Sequence, residues 1–558
     1  MAFLVYLALA FLFLGLRVVE HPERRVVGGL YTDPQIFVWS FAWWPHAILH
    51  GLNPAYTHQI WAPGGYNLAW ATSVPGLALV FAPLTLAFGP ILAYNVAAIL
   101  MPALAAWTAF LLCRRLTNGA VWASLAGGYI FGFSAYVLTA GLTHIHTAAV
   151  FLLPVAAHLV IRFVQGDLSR RRLALGMGAV LAGQMLLSTE ILFTLTFALA
   201  ASLLLAALLI RSARTPLRAT ALPLAAAYGL AAVVTAPFLY FIFTGTGSRP
   251  PSGAFLFSAD LTNLVVPTMA NLGGWWTKHF VTAFPANDAE RGAYLGVPLL
   301  VIVALFAWQW RRRPTGRFLI VGFLLAVFLS LGAYLTIHGR QLTTLPYSHL
   351  INKPLFENVM PVRLMAFASL AAAVMLALWA ASSFRPSWLR VGLTALAVLT
   401  LVPNLAWGAW ARTPEVPPLF TTGLYKSCLG RGENVLLLPF GTLGDSMIWQ
   451  ARSHFWFRNA GGYISPFPPR RYQEFTGIYK IATEDSPPDV TTEDVLALAR
   501  LQHVSSIVLA DDDLAWRWTG VLGAFGRPQA VGGTLIYRLH GAPPLWAACA
   551  RAATASRP

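Results

Sequence analysis

The chain has 558 residues, of which 57% are hydrophobic and only 11% are charged, with a mean hydropathy of +0.63. Soluble domains carry about 25% charged residues, so this composition excludes a soluble protein of the same size. The net charge of +17 does not indicate a nucleic-acid-binding protein. The basic residues lie in short clusters between apolar runs, where they set membrane topology and meet lipid headgroups.

Apolar runs near 20 residues recur between Met1 and Trp410, and about 20 residues of helix are needed to cross the hydrocarbon core. We therefore predict a polytopic α-helical membrane protein with about 11 transmembrane helices. The first run is interpreted as a retained span rather than a cleaved signal peptide. The predicted spans are residues 1–17, 91–113, 119–140, 147–163, 173–188, 191–210, 219–243, 293–310, 317–335, 363–382 and 389–410.

Arginine clusters separate pairs of these spans, and the positive-inside rule places the clusters in the cytoplasm. The alternate connections, residues 18–90, 141–146, 244–292 and 336–362, are then predicted to lie outside. Residues 74–89 are apolar but contain Pro75 and Pro83, which interrupt a helix. Either they cross the membrane or they form an interfacial or re-entrant helix. We favour the second alternative, which leaves 18–90 as one large outer loop.

The pattern changes after Pro414, Pro417 and Pro418. Residues 434–439, 505–510 and 533–539 are typical of strands, and 492–502 and 513–525 of helices. We predict a small extracytoplasmic α/β domain over residues 411–545, followed by a disordered tail over 546–558. Cys113, Cys428 and Cys549 show no metal-binding spacing. Cys428 and Cys549 either pair, if this domain is extracytoplasmic, or remain free thiols.

The first outer loop is rich in Trp, Tyr, His and Pro. Its tryptophans are typical of an aromatic belt at headgroup depth. A belt does not explain Asp33, which is the only acidic residue of this loop beyond residue 23. Asp33 precedes Pro34 and an amphipathic stretch, so the pattern leaves two roles open, helix capping and catalysis.

Several pieces in the 30–370 region, in their order and spacing, resemble the GT-C glycosyltransferases. The closer resemblance is to bacterial GT-C-like and YfhO-like membrane proteins. The matching pieces are TDPQIFVWSFAWWPHAI, NPAYTHQIWAPGGYNL, GPILAYNVAA, FSADLTNLVVPT, AERGAYLGVPLL, LSLGAYLTIHG and MPVRLMAF. The C-terminal domain matches only loosely.

This resemblance implies an enzyme that moves a sugar from a polyprenyl-phosphate donor to an extracytoplasmic glycan, lipid or protein acceptor. It assigns Asp33 the role of general base, and it implies an active site at the outer face of a bacterial cytoplasmic (inner) membrane. A carboxylate can take the proton of an acceptor hydroxyl as that hydroxyl attacks the anomeric carbon. The rival interpretations are a transporter or lipid flippase, and a non-catalytic assembly protein of the cell envelope.

The second outer loop offers His144 and His146 where GT-C enzymes often supply an acid. These histidines either bind the donor phosphate, bind a metal together with Asp33, or form a polar interface. A divalent metal is therefore possible but no DxD motif indicates it. Glu190 lies where two spans meet, at a depth where an ionisable residue is expensive and function is the default hypothesis. A helix cap helped by Ser188 and Thr189 is the alternative.

Cations are expected near a donor phosphate, and arginine offers a bidentate fork for its oxygens. Arg363, at the mouth of a span, is the first candidate for this role, and Lys353 is the second. The alternative for both is snorkelling to lipid headgroups. Asp260 is a further candidate for substrate binding, with capping of a helix as its alternative role.

Overall fold

The computed structural model describes residues 1–245, 254–353, 356–382, 387–439, 441, 444–465, 468–469, 472, 490–511, 515–539 and 546–555. Each of the predicted apolar spans contains an α-helix. The helices from the N-terminus to residue 400 are α1 (Ala2–Phe13), α2 (Pro34–Leu49), α3 (Pro75–Val80), α4 (Ala82–Phe88), α5 (Pro90–Leu116), α6 (Val121–Gly132), α7 (Ala135–Gly141), α8 (Ile145–Ala148), α9 (Leu152–Val164), α10 (Arg170–Leu187), α11 (Thr189–Leu209), α12 (Arg214–Arg218), α13 (Ala221–Val234), α14 (Ala236–Thr244), α15 (Gly274–Thr277), α16 (Val297–Trp310), α17 (Pro314–Ser330), α18 (Met365–Ala381) and α19 (Trp388–Thr400).

Length and apolar composition identify the helices that can cross a membrane. Among the described residues, four stretches pass alone: Pro90–Leu116, Ile145–Val164, Thr189–Leu209 and Pro361–Ala381. Two bent pairs, α6 with α7 and α12 with α13, raise the number to six if each pair is one span. Helices α16 and α19 have only 14 and 13 residues, short of the roughly 20 needed for a perpendicular crossing. Eleven crossings therefore stay a prediction.

The outer loop of residues 18–90 contains helix α2 and two short helices over the proline-interrupted stretch. Helices α3 and α4 have six and seven residues, and Gly89, at φ +90°, separates α4 from α5. Neither short helix is long enough to cross a bilayer, which favours the interfacial alternative. The short strands of this loop are β1 (Val26–Val27), β2 (Tyr56–Thr57) and β3 (Tyr66–Asn67), and those at the fourth outer segment are β4 (Tyr334–Ile337) and β5 (Arg340–Thr344).

The C-terminal region is built on a mixed sheet. Within its described residues the strands are β6 (Ala411–Arg412), β7 (Asn434–Leu438), β8 (Arg458–Asn459), β9 (Ser506–Ala510), β10 (Gln529–Val531) and β11 (Thr534–Arg538), and the helices are α20 (Pro418–Thr421), α21 (Tyr425–Cys428), α22 (Ser446–Arg452), α23 (Thr492–Leu501), α24 (Trp516–Leu522) and α25 (Trp546–Ala555). The sheet order is β10-β11-β9-β7-β8, with β7 parallel to β8 and β9. The predicted strands agree with β7, β9 and β11 to within one residue at each end.

The prediction of a disordered tail over 546–558 is wrong for residues 546–555, which form helix α25. A disulfide between Cys428 and Cys549 joins α25 to α21, and both cysteines are fully buried. The two cysteines therefore pair, which was one of the two predicted alternatives, and the crosslink holds a segment that was predicted to be disordered. Cys113 is a buried free thiol.

The C-terminal region is attached to the first outer loop by backbone and side-chain bonds. Strand β1 pairs antiparallel with β6. The buried Gln35 amide of α2 donates to the carbonyls of Gly441 and Gly444, at 3.1 and 2.7 Å, and accepts from the Met447 N–H. The Trp39 indole donates to Gln450 at 2.9 Å. These bonds fix α2 against α22, so the first outer loop and the C-terminal region form one packed unit.

Candidate functional site

Asp33 occupies the N-cap position of α2, with Pro34 as the first helical residue. Its carboxylate makes no capping hydrogen bond to the described backbone of the helix, so the capping alternative is wrong. Instead, its Oδ1 accepts a hydrogen bond of 2.7 Å from the hydroxyl of Tyr463 in the C-terminal region. The carboxylate therefore faces the junction between the first outer loop and the C-terminal region.

Tyr31 connects Asp33 with the end of the third outer segment. Burial, then the charge of Asp288 and more weakly that of Asp33, raise the pKa of the Tyr31 hydroxyl, while Arg291 opposes them. Arg291 is itself paired with Asp288 at 2.7 Å. Tyr31 thus lies within electrostatic range of Asp33, Asp288 and Arg291.

A buried charge cluster forms around Arg363, at the start of the Pro361–Ala381 span. Its Nη1 donates to Glu190, and its Nη2 and Nε donate to the two oxygens of Glu290 at 2.5 and 3.3 Å. Arg363 and Glu290 are only 5% and 7% exposed. The cluster joins the start of α11, the end of the third outer segment and the residues just before α18. It therefore holds three distant parts of the chain together.

The position of Glu190 also separates its two predicted roles. Ser188 caps α11 by accepting from the Ile191 N–H, while the Glu190 carboxylate pairs with Arg363 and accepts from the Met360 N–H at 3.4 Å. The cap therefore does not depend on the Glu190 side chain. Glu190 lies in the first turn of a membrane helix, and its buried negative charge is paired with the positive charge of Arg363. A buried charge needs such a partner, because leaving it unpaired away from water is costly.

Glu290 completes the cluster and was not among the predicted site residues. Burial raises the pKa of its carboxyl, but the charge of Arg363 and the hydrogen bond and charge of His144 outweigh burial, so the pKa lies below its usual range. Its Oε1 lies 3.2 Å from His144 Nδ1. The sequence did contain one signal for Glu290. It is an acidic residue in the AERGAYLGVPLL piece, immediately before an apolar span.

The two predicted histidines lie between this cluster and α2. The ring centroids of His144 and His146 are 5.7 Å apart, and the His146 ring lies 5.6 Å from that of Phe37. Phe37 is one helical turn after Asp33, so Asp33 and His146 lie on the same side of α2. His146 is 8% exposed, and its Nδ1 has no hydrogen-bond partner among the described residues.

The remaining predicted residues have other surroundings. The buried carboxylate of Asp260 accepts from the backbone N–H groups of Thr262, His338 and Gly339, at 2.9, 3.0 and 2.7 Å. These bonds hold the turn after residue 260 against the β4–β5 hairpin, which agrees with its capping alternative. Lys353 is exposed, and within the described residues its ammonium group forms no ion pair.

The described residues contain no group of three or more His, Cys, Asp or Glu side chains that could hold a metal ion. Asp33 and the histidines of the second outer loop are therefore not arranged as a preformed metal site in this structure.

A family model described as Domain of unknown function (DUF6311) matches residues 3–402. The chain belongs to the DUF6311 family. The match covers the helical region and the whole of the Arg363 cluster, and it ends just before the C-terminal region. No curated protein matches this DUF6311 chain in sequence.

Solved structures show which fold this DUF6311 chain adopts. The arabinofuranosyltransferase AftD from Mycobacteria superposes with a TM-score of 0.58 at 15% identity, over 96% of this chain and 39% of AftD. The oligosaccharyltransferase AglB from Archaeoglobus fulgidus gives 0.54 at 11% identity, over 94% of this chain and 70% of AglB. The chain thus spans about two fifths of the length of AftD. The chain shares the fold of these two membrane transferases, which confirms the GT-C-like fold that the resemblance implies.

Proposed function

We propose that the protein is a membrane glycosyltransferase that moves a sugar from a polyprenyl-phosphate-linked donor to an extracytoplasmic glycan, lipid or protein acceptor. The observation that carries this proposal is the position of the Asp33 carboxylate, and its hydrogen bond to Tyr463, within a GT-C fold. Its carboxylate lies at the first turn of α2, takes no part in capping among the described contacts, and is oriented by a tyrosine from another region of the chain. This arrangement suits a base rather than a structural acid.

In the proposed reaction, Asp33 takes the proton of the acceptor hydroxyl while that oxygen attacks the anomeric carbon. The bond between the anomeric carbon and the phosphate oxygen breaks, and the polyprenyl phosphate leaves with the bonding pair. One displacement inverts the anomeric centre and needs only one carboxylate, because phosphate is already a good leaving group. The solved AglB complex contains a dolichol-phosphate, a lipid phosphate of the proposed class.

On the donor side, we assign His144 and His146 to the wall of the site next to Asp33, and Lys353 to the donor phosphate. Arg363 was the first candidate for the phosphate, but its described contacts commit it to Glu190 and Glu290. A phosphate approaching this guanidinium would also meet two carboxylates, so phosphate binding by Arg363 requires one of them to move or to be protonated. We therefore assign Arg363 and Glu190 to maintaining the shape of the site.

We further propose that the site faces the outside of a bacterial cytoplasmic (inner) membrane. The positive-inside rule supports this orientation, since the arginine clusters lie at the opposite ends of the spans from the 18–90 loop. The buried Cys428–Cys549 disulfide also supports it, because disulfides persist in oxidising compartments such as the periplasm. Donor and acceptor would then meet in the outer leaflet.

Deletion of the gene in its host tests the proposal and identifies the substrates. We expect the unused polyprenyl-phosphate sugar to accumulate and one sugar to disappear from a surface glycan, lipid or protein. Mass spectrometry of extracted lipids and of the envelope fractions measures both changes. Wild-type protein should restore them, whereas Asp33→Asn should not. Unchanged lipid-linked sugars together with unchanged envelope glycans would contradict the proposed function.

A further inference from the structure

We propose that Tyr463 is a positioning residue for Asp33, so that the C-terminal region supplies part of the catalytic arrangement itself. This inference rests on the proposed function, since it concerns the orientation of the proposed base. The two residues are 430 positions apart in sequence, and their side chains meet at 2.7 Å. Tyr463 is 6% exposed, while Asp33 remains partly accessible, as a base that must reach an acceptor requires.

A tyrosine hydroxyl has a specific effect on a carboxylate base. It donates a hydrogen bond to one carboxylate oxygen and fixes that oxygen in place. The other oxygen is then left oriented for the acceptor proton. Hydrogen bonds to charged groups are stronger than those between neutral groups, so losing this one affects the geometry of the base.

The backbone before Tyr463 is fastened to the first outer loop, which makes the tyrosine a rigid element. The Asn459 N–H donates to the Gln59 carbonyl at 2.8 Å, and the Gly461 carbonyl accepts from the Trp61 N–H at 2.8 Å. Gly462, at φ +140°, lies so close to Ile60 that an added Cβ would meet its side chain at 3.0 Å. A side chain at position 462 would push this segment, and Tyr463 with it, away from the loop.

The test is Tyr463→Phe in the purified full-length protein, assayed with the polyprenyl-phosphate sugar found to accumulate in the deletion strain. We expect kcat to fall about tenfold, with little change in the KM for the donor, because the hydroxyl acts on the base rather than on donor binding.

Tyr472→Phe is the matched control. Tyr472 is 4% exposed and also belongs to the C-terminal region, and its hydroxyl donates to Gln502 Oε1 at 3.0 Å. It therefore loses a comparable buried hydrogen bond without touching Asp33. We expect its kcat and its KM for the donor to match those of the wild type. The KM does not depend on the folded fraction, and kcat is expressed per mole of folded protein, so a variant recovered in low yield still gives a decisive comparison.

The outcomes separate this inference from the proposed function. If Asp33→Asn is inactive but Tyr463→Phe keeps the wild-type kcat, the role of Tyr463 is overturned and the proposed base stands. A fall in kcat that appears equally in Tyr472→Phe also overturns it, because the effect would then be a general one of the region. If folded Asp33→Asn retains full activity, the proposed base itself is wrong.

Discussion

Replacement of Asp33 by asparagine is expected to lower the rate of sugar transfer by about 10²- to 10⁴-fold, the usual contribution of a general base. Asparagine keeps the size of the side chain and can still accept a hydrogen bond from Tyr463, but it cannot take a proton. Donor binding should change little, so the loss should appear in kcat. Steady-state rates with the purified protein and its lipid-linked donor measure the effect.

Asp167→Asn provides the same chemical change at a distant acid. Asp167 pairs with Arg115 at the predicted cytoplasmic side, where both side chains are partly exposed. We expect its transfer rate to remain within a factor of two or so of the wild type, since surface ion pairs contribute little. A folded Asp33→Asn protein with a comparably small loss would remove the base from the mechanism.

Replacement of Arg363 by methionine is expected to give the largest loss of stability. It would leave the carboxylates of Glu190 and Glu290 buried without their cation, and breaking a buried ion pair in this way costs about 3–5 kcal/mol. Chemical unfolding in detergent, followed by circular dichroism, measures the change. Arg115→Met, whose pair is 33% and 47% exposed, should lose about 1 kcal/mol or less.

The pH dependence of this loss follows from the same charges. In the wild type, the lowered pKa of Glu290 contributes stability above the usual glutamate pKa, and this contribution is lost only in acid. In Arg363→Met, the charge of Arg363 no longer opposes the effect of burial on the pKa of Glu290. The Glu290 carboxyl should therefore bind a proton more readily in the folded state. The stability difference between variant and wild type should therefore shrink as the pH falls from 8 to 5.

Adding Glu190→Gln and Glu290→Gln to Arg363→Met should recover part of the stability at neutral pH, because no unpaired buried charge remains. A triple variant that is less stable than Arg363→Met would show that the cluster is not held by charge pairing. Both the pH trend and the recovery are independent of the glycosyltransferase proposal.

The sequence predicted the helices well because the length of an apolar run is a local property. Each predicted span contains a helix, and the strands β7, β9 and β11 follow from local patterns of the same kind. Helix ends were less predictable. The run over 389–410 ends as a helix at Thr400, because Pro403 lies just beyond it and the chain there bonds to residues 270–272 instead.

The site was only partly predictable, because its contacts join residues far apart in the chain. Asp33 and Glu190 could be found as acids in unusual surroundings. The partnership of Arg363 with Glu290 and that of Asp33 with Tyr463 depend on tertiary packing, which one sequence does not encode in any local pattern. The tail was predicted to be disordered because the pairing of Cys549 with Cys428, 121 residues earlier, was only one of two alternatives that the sequence left open.

The most direct test of the account is whether the protein cleaves its donor. Wild-type protein in proteoliposomes, supplied with the radiolabelled polyprenyl-phosphate sugar and the acceptor identified in the deletion strain, should release polyprenyl phosphate and label the acceptor. Asp33→Asn should do neither at a comparable rate. Movement of the intact donor between leaflets, without cleavage of the bond between sugar and phosphate, would instead identify a flippase and contradict the proposed function.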